Sequence, residues 1–125
     1  MSAPFPITIY HNPKCGTSRT TLEIILAAGH QPQVVEYLKT GWTRDQLKDL
    51  FKAMGVTPHQ MIREKGSPAV ELGLLAPGVS DDAVLEAMVA HPILVNRPIV
   101  VTPLGAKLTR PAELVMPLLE RRPAA

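Results

Sequence analysis

Apolar positions along the chain switch between a period of two and a period of about 3.6, and each switch marks an element. Pro6-Ile-Thr-Ile-Tyr10 is a β-branched run bounded by prolines, which predicts a short buried strand. After the loop His11-Asn-Pro-Lys-Cys15, Leu22, Ile25, Leu26 and Gly29 fall at i, i+3, i+4 and i+7. That spacing predicts a helix over about Thr17 to Ala28, stopped by Gly29. Gln33-Val-Val-Glu-Tyr37 predicts a second strand. Thr43-x-x-Gln46 is a capping box ahead of Leu47, Leu50, Phe51 and Met54, one face of a helix closed by Gly55. Thr57-Pro58-x-Gln60 repeats the signal, with Pro58 at a first helical position where no N–H is needed. It predicts a short helix carrying Met61, Ile62 and Arg63 up to Gly66, and Ser67 to Leu74 reads as a further turn or two of helix. Ser80-Asp81-Asp82 caps a helix through about Val89, with acids at its positive end, and His91-Pro92 closes it. Pro98 to Thr102 and Gly105 to Thr109 predict a third and a fourth strand joined as an antiparallel hairpin. Pro111 opens a last helix through about Leu119, and Arg121 to Ala125 reads as a frayed tail.

The order is βαβ, a helical block, then ββα. A βαβ start makes its two strands parallel with a right-handed crossover, and the ββα end adds an antiparallel pair. The expected fold is an α/β mixed four-stranded sheet with flanking helices, held in one domain over residues 1–125. Its core covers about residues 6–40 and 96–120, and a helical insertion covers about 41–95.

Composition narrows the function. The chain has 125 residues, 46% of them hydrophobic and 19% charged, which fits one globular domain with a real core. Thirteen basic residues against eleven acidic give a net charge of +2, and no basic run exceeds Arg121-Arg122, so a general nucleic-acid surface is not expected. Apolar runs such as Ile99-Val100-Val101 fall far short of the ~18 residues that cross a bilayer. The start MSAPFP has neither a basic nor an apolar leader region, so a cytoplasmic protein with no membrane partner is expected. Cys15 is the one cysteine, which rules out an internal disulfide and a cysteine zinc site and fits a reducing compartment.

Cys15 lies between a strand end and a helix start, where ligands bind in open α/β folds. Free N–H groups and the helix dipole there stabilise a thiolate and lower its pKa. Lys14, Arg19 and His11 are expected to add positive charge, and Gly16 lets backbone approach a ligand. A small buried hydrophobe is the commoner fate of a lone cysteine, but here the neighbours are polar and turn-forming. The same helix start is an anion site. A thiolate beside an oxyanion cradle points to attack on a phosphate-like centre. The loop is not C-x5-R, because arginine follows Cys15 by four positions. It is not a Walker loop, and Ser18 breaks C-x-x-C. Without a second cysteine, an external thiol must release any covalent adduct. Arg63, Arg97 and Arg110 stand among apolar and turn residues, two of them before prolines, and guanidinium forks suit tetrahedral oxyanions. His30, His59 and His91 read as structural, and Asp81-Asp82 as a helix cap.

His11-Asn-Pro-Lys-Cys-Gly-Thr-Ser-Arg19, His91-Pro-Ile-Leu-Val-Asn-Arg-Pro-Ile-Val-Val-Thr-Pro-Leu-Gly105 and Leu108-Thr-Arg-Pro111 closely resemble the glutaredoxin-coupled arsenate reductases, over nearly the whole chain from Ile7 to Leu119. The resemblance implies a thioredoxin-like fold with a helical insertion and a cis bond at Pro98. It implies Cys15 as the nucleophile that attacks arsenate, with His11 helping to activate the thiol. Arg63, Arg97 and Arg110, with the N–H groups of Gly16 and Thr17, are implied as oxyanion ligands. Glutathione is the implied co-substrate and glutaredoxin the implied protein partner, with no metal or bound organic cofactor.

Two other readings compete. Cys15-Gly-Thr-Ser18 also looks like the C-G-x-S of monothiol glutaredoxins, which use glutathione and sometimes an iron–sulfur cluster, but the insertion and the arginines argue against that. A transcription regulator on the same fold commonly carries C-x-x-C as a redox switch, which Ser18 breaks.

Overall fold

The computed structural model describes residues 5–119, so the tail from Arg121 to Ala125 lies outside the described residues. The chain divides into two compact units. One joins the residues up to Glu36 with those from Arg97 onward, and the other is Tyr37–Asn96.

The first unit holds a sheet of β1 (Thr8–Tyr10), β2 (Gln33–Val35), β3 (Ile99–Thr102) and β4 (Gly105–Leu108) in the order β2-β1-β3-β4. β1 runs parallel to β2, with Ile9 opposite Val34, and antiparallel to β3, with Ile9 opposite Val100. β3 and β4 form the antiparallel hairpin, closed by Thr102 opposite Gly105. With α1 (Gly16–Ala27) as crossover, this is the thioredoxin-like α/β sheet that the sequence leads one to expect. Ile7, Ile9, Ile25, Val100, Val115, Leu118 and Leu119 form the core, with Leu22 and Ile24 of α1 packed against it. Gly29 takes φ 89°, the left-handed geometry that ends α1 without a Cβ penalty.

The second strand and the last helix differ from expectation. The second strand stops at Val35 because its partner β1 stops at Tyr10, and the His11 N–H closes the ladder on the Val35 carbonyl at 2.8 Å. Tyr37 therefore leaves the strand. The last helix is a 3-10 helix, Ala112–Leu118, rather than an α-helix. Pro117 inside it has no N–H to donate, and its ring would clash with the carbonyl an α-turn back.

The second unit contains α2 (Tyr37–Thr40), α3 (Arg44–Met54) and α4 (Asp81–Ala90), with 3-10 turns at His59–Met61 and Pro92–Leu94. The capping box forms: Thr43 Oγ1 accepts the Gln46 N–H at 3.1 Å and Gln46 accepts the Thr43 N–H at 3.3 Å. Thr57 and Gln60 repeat it at 3.3 and 2.8 Å. Ser80 accepts the Ala83 N–H at 3.1 Å and so caps α4. α3 packs on α4, with Leu47, Leu50 and Phe51 on one and Val84, Leu85 and Met88 on the other buried.

Arg63 is not on a helix. The 3-10 turn ends at Met61, β-branched Ile62 makes a bridge to Val95, and the Arg63 N–H donates to the Leu94 carbonyl at 2.7 Å. Ser67 to Leu74 forms turns, not a helix. Its bonds span four residues at Leu72, three at Gly73 and five at Leu74, so no regular ladder forms. Among the described residues, no helix is long and apolar enough to cross a membrane.

Candidate active site

Strand direction brings three separate segments to one end of the sheet. β1 is antiparallel to β3, so the end of β1 at Tyr10 faces the start of β3 at Ile99. β3 is antiparallel to β4, so Ile99 also faces the end of β4 at Leu108. The loop after Tyr10 carries Cys15, the residues before Ile99 are Arg97 and Pro98, and those after Leu108 are Thr109 and Arg110. Arg97–Pro98 and Arg110–Pro111 are both cis peptide bonds.

The Cys15 loop is held by its own polar groups. Asn12 Oδ1 accepts the Lys14 N–H at 3.0 Å, and the Asn12 carbonyl accepts the Cys15 N–H at 2.9 Å. Such a turn is what an asparagine ahead of proline favours. Cys15 is the N-cap of α1, with extended backbone at φ −92° and ψ 121°. The first helical bond runs from the Arg19 N–H to the Cys15 carbonyl at 3.0 Å. The N–H groups of Gly16, Thr17 and Ser18 therefore emerge at the helix start, on the thiol side.

Cys15 is 8% exposed. Burial pushes its thiol up. The Ser18 N–H, a hydrogen bond from Arg110, and the hydrogen bond and charge of Arg97 outweigh that, and the thiol lies below its ordinary range. Arg110 Nη1 is 3.4 Å from the Cys15 sulfur and donates to the Arg97 carbonyl at 3.0 Å. The cations that act on the thiol thus come from the distant half of the chain. Arg19 turns away and donates to the Pro13 carbonyl at 2.9 Å, and Lys14 is exposed.

His11 differs from its expected role as a nearby cation. Burial lowers its pKa, Glu36 opposes the shift, and Arg19 adds to it, so the imidazole is neutral near pH 7. Its Nδ1 lies 2.6 Å from Ser18 Oγ, which also accepts the Asn12 N–H at 3.0 Å. His11 thereby reaches the thiol's surroundings through Ser18, whose own N–H favours the thiolate.

Cys15, Arg97, Arg110 and the Gly16–Thr17 helix start are thus brought together within the first unit, with His11 one residue removed. Arg63 belongs to the second unit, where its Nε donates to the Lys65 carbonyl at 3.1 Å. Sequence reasoning missed Ser18 as a hub, having read it only as a lost second cysteine. It also missed Asn12, Thr21 and Thr109. Polar residues in an otherwise apolar helix face are the signal that marks Ser18 and Thr21, both fully buried. Among the described residues, no group of three or more His, Cys, Asp or Glu could hold a metal ion.

The family model of the ArsC family matches residues 10–117. The arsenate reductase ArsI2 of Synechocystis sp. is 56% identical over 118 residues, covering 94% of this chain and 84% of the relative. The arsenate reductase of Escherichia coli strain K12 is 50% identical over 113 residues, covering 90% of this chain and 80% of the relative. Among solved structures, the arsenate reductase from Vibrio cholerae superposes with a TM-score of 0.88 at 41% identity, covering 94% of this chain and 100% of that one.

Proposed function

This chain belongs to the ArsC family, and on that premise we propose how its residues carry out arsenate reduction. The protein is an arsenate reductase, an oxidoreductase of arsenic detoxification. The observation that carries the mechanism is the lone thiol at a helix start with Arg110 Nη1 3.4 Å from its sulfur.

Arsenate is a tetrahedral oxyanion. Arg97 and Arg110 take its oxygens with their guanidinium forks, and the N–H groups of Gly16 and Thr17 complete the cradle. Family resemblance adds Arg63 as a third arginine ligand. The Cys15 thiolate attacks arsenic, forming the S–As bond as one oxygen leaves as water. His11 supports the thiolate by fixing Ser18 and with it the start of α1.

The adduct cannot be resolved within the chain, because Cys15 is the only cysteine. Glutathione replaces a second oxygen on arsenic, again releasing water. A glutaredoxin thiolate then attacks the glutathione sulfur and forms a mixed disulfide. The electron pair of the broken S–As bond stays on arsenic, which passes from As(V) to As(III). Water releases arsenite from Cys15 and restores the thiol. No metal or bound organic cofactor takes part, and a reducing cytoplasm keeps the lone thiol ready.

The test is arsenite formation by the purified protein with glutathione and glutaredoxin, each omitted in turn. Omission of either should stop turnover after one equivalent at most. Sustained turnover with neither would refute this thiol route.

A further inference from the structure

The thiol and the arginines sit on segments far apart in the chain, so their spacing depends on whatever ties α1 to the ends of β3 and β4. One polar tie crosses the interior of the first unit. Thr21 on α1 and Thr109 at the end of β4 are both fully buried, and their hydroxyl oxygens are 3.3 Å apart. A threonine hydroxyl has a single proton. Thr21 gives its proton to the Thr17 carbonyl at 2.9 Å. In the contact between the two hydroxyls Thr21 is then the acceptor, and Thr109 divides its one proton between Thr21 Oγ1 and the Pro98 carbonyl. On its other side, the Thr109 main-chain N–H donates to the Pro98 carbonyl at 3.0 Å, with the hydroxyl 3.4 Å from the same oxygen.

Thr109 thus bonds the residue that follows Arg97, bonds the helix that starts at Cys15, and itself precedes Arg110. Valine would fill the same space in an apolar interior without a hydroxyl to satisfy. Packing alone does not account for a pair of buried hydroxyls at this point.

We propose that Thr109 is a positioning residue for arsenate reduction, setting Arg97 and Arg110 against the start of α1 through its bonds to Thr21 and Pro98. The proposal rests on the reading of Cys15 and the two arginines given above. A tie of this kind matters because small misplacements of binding groups cost large factors in rate.

The experiment compares wild type with Thr109→Val, Thr109→Ser and Thr21→Val. It reads kcat and KM for arsenate, the pH inflection of Cys15 alkylation by iodoacetamide, and stability in urea. Thr109→Val should lower kcat/KM by about tenfold or more. It should also move the alkylation inflection upward, as the guanidinium groups lose their placement over the sulfur. Thr109→Ser keeps the hydroxyl and should restore both. Thr21→Val removes the acceptor and should move both in the same direction as Thr109→Val. A folded Thr109→Val variant that loses only stability, with wild-type kcat/KM and inflection, would overturn the proposal. So would a Thr109→Ser variant as impaired as the valine one. If Thr109→Val does not fold, Thr21→Val decides: unchanged kinetics and inflection there reject the tie. A wild-type protein that forms no arsenite would instead overturn the functional reading, and the alkylation shift would still decide the placement role.

Discussion

Arg110 reaches Cys15 across 95 positions of sequence, its Nη1 lying 3.4 Å from the sulfur. The same nitrogen holds the Arg97 carbonyl at 3.0 Å, so thiol and arginines form one electrostatic unit before any anion arrives. The nucleophile and its cradle cannot be altered independently.

Cys15→Ser should abolish arsenite formation while leaving the fold intact, because a hydroxyl is far weaker than a thiolate as a nucleophile near neutral pH. In the wild type, iodoacetamide should react with an inflection below the free-thiol value of about 8.5. Turnover by the serine variant close to wild type, or an inflection at or above the free-thiol value, contradicts the mechanism.

Arg97→Lys and Arg110→Lys keep the charge but lose the fork. Each should weaken arsenate use by roughly 1–3 kcal/mol in kcat/KM, the worth of a charge-assisted contact. Phosphate and sulfate should inhibit these variants less well, since the fork reads oxyanion shape. Arg63→Lys should show the same loss if the family's third arginine acts here. Arg44, paired with Asp82 at 2.5 Å on the exposed surface, serves as control, and its lysine variant should match wild type. Equal behaviour of all four would mean that the loop at Cys15 holds the anion alone.

His11 and Ser18 should act as one group. Single replacements, His11→Ala and Ser18→Ala, should each raise the alkylation inflection. The double variant should be little worse than either single one, because the 2.6 Å contact is lost in all three. Strict additivity would show that His11 reaches the thiol by another route.

Acid should weaken the protein through two groups of the same sign. Cys15 titrates lower in the folded chain than in the unfolded one, so the unfolded chain binds more protons between the two values. The thiolate's stabilisation is complete above the unfolded value and is lost as pH falls through the folded one. His11, also lowered, adds stability above about 6.5 that is lost on further acidification. In urea melts the margin of wild type over Cys15→Ser should shrink as pH falls from about 9 towards neutrality. A margin independent of pH would show that the thiolate carries no stabilisation in the fold.

The regular elements were legible because their signals are local. The Thr43–Gln46 box, the Ser80 cap and the i, i+3, i+4 pattern of α1 need only neighbours in sequence. The misreadings came from partners that sequence does not display. Ile62 left its helix for a bridge to Val95, and Tyr37 left its strand because β1 had ended. At the candidate site, Cys15 stands out by its loop and Arg97 and Arg110 by the prolines that follow them, while Arg63 lies in the second unit. The neutral state of His11 was not legible, because burial decides it and burial is a property of the fold. Ser18, Thr21 and Thr109 were hidden for the same reason: each bonds a group brought near only by tertiary packing.

The groups around Cys15 also set a limit on how fast it can react. The Ser18 N–H, Arg110 and Arg97 raise the share of thiol that is ionised, but each also withdraws electron density from the sulfur. Intrinsic nucleophilicity falls as thiol pKa falls, with attack fastest when the pKa lies near ambient pH. A further cation placed beside Cys15 would increase the number of thiolates and make each one slower. Loss of the Arg110 hydrogen bond would do the reverse, leaving fewer thiolates and making each one faster.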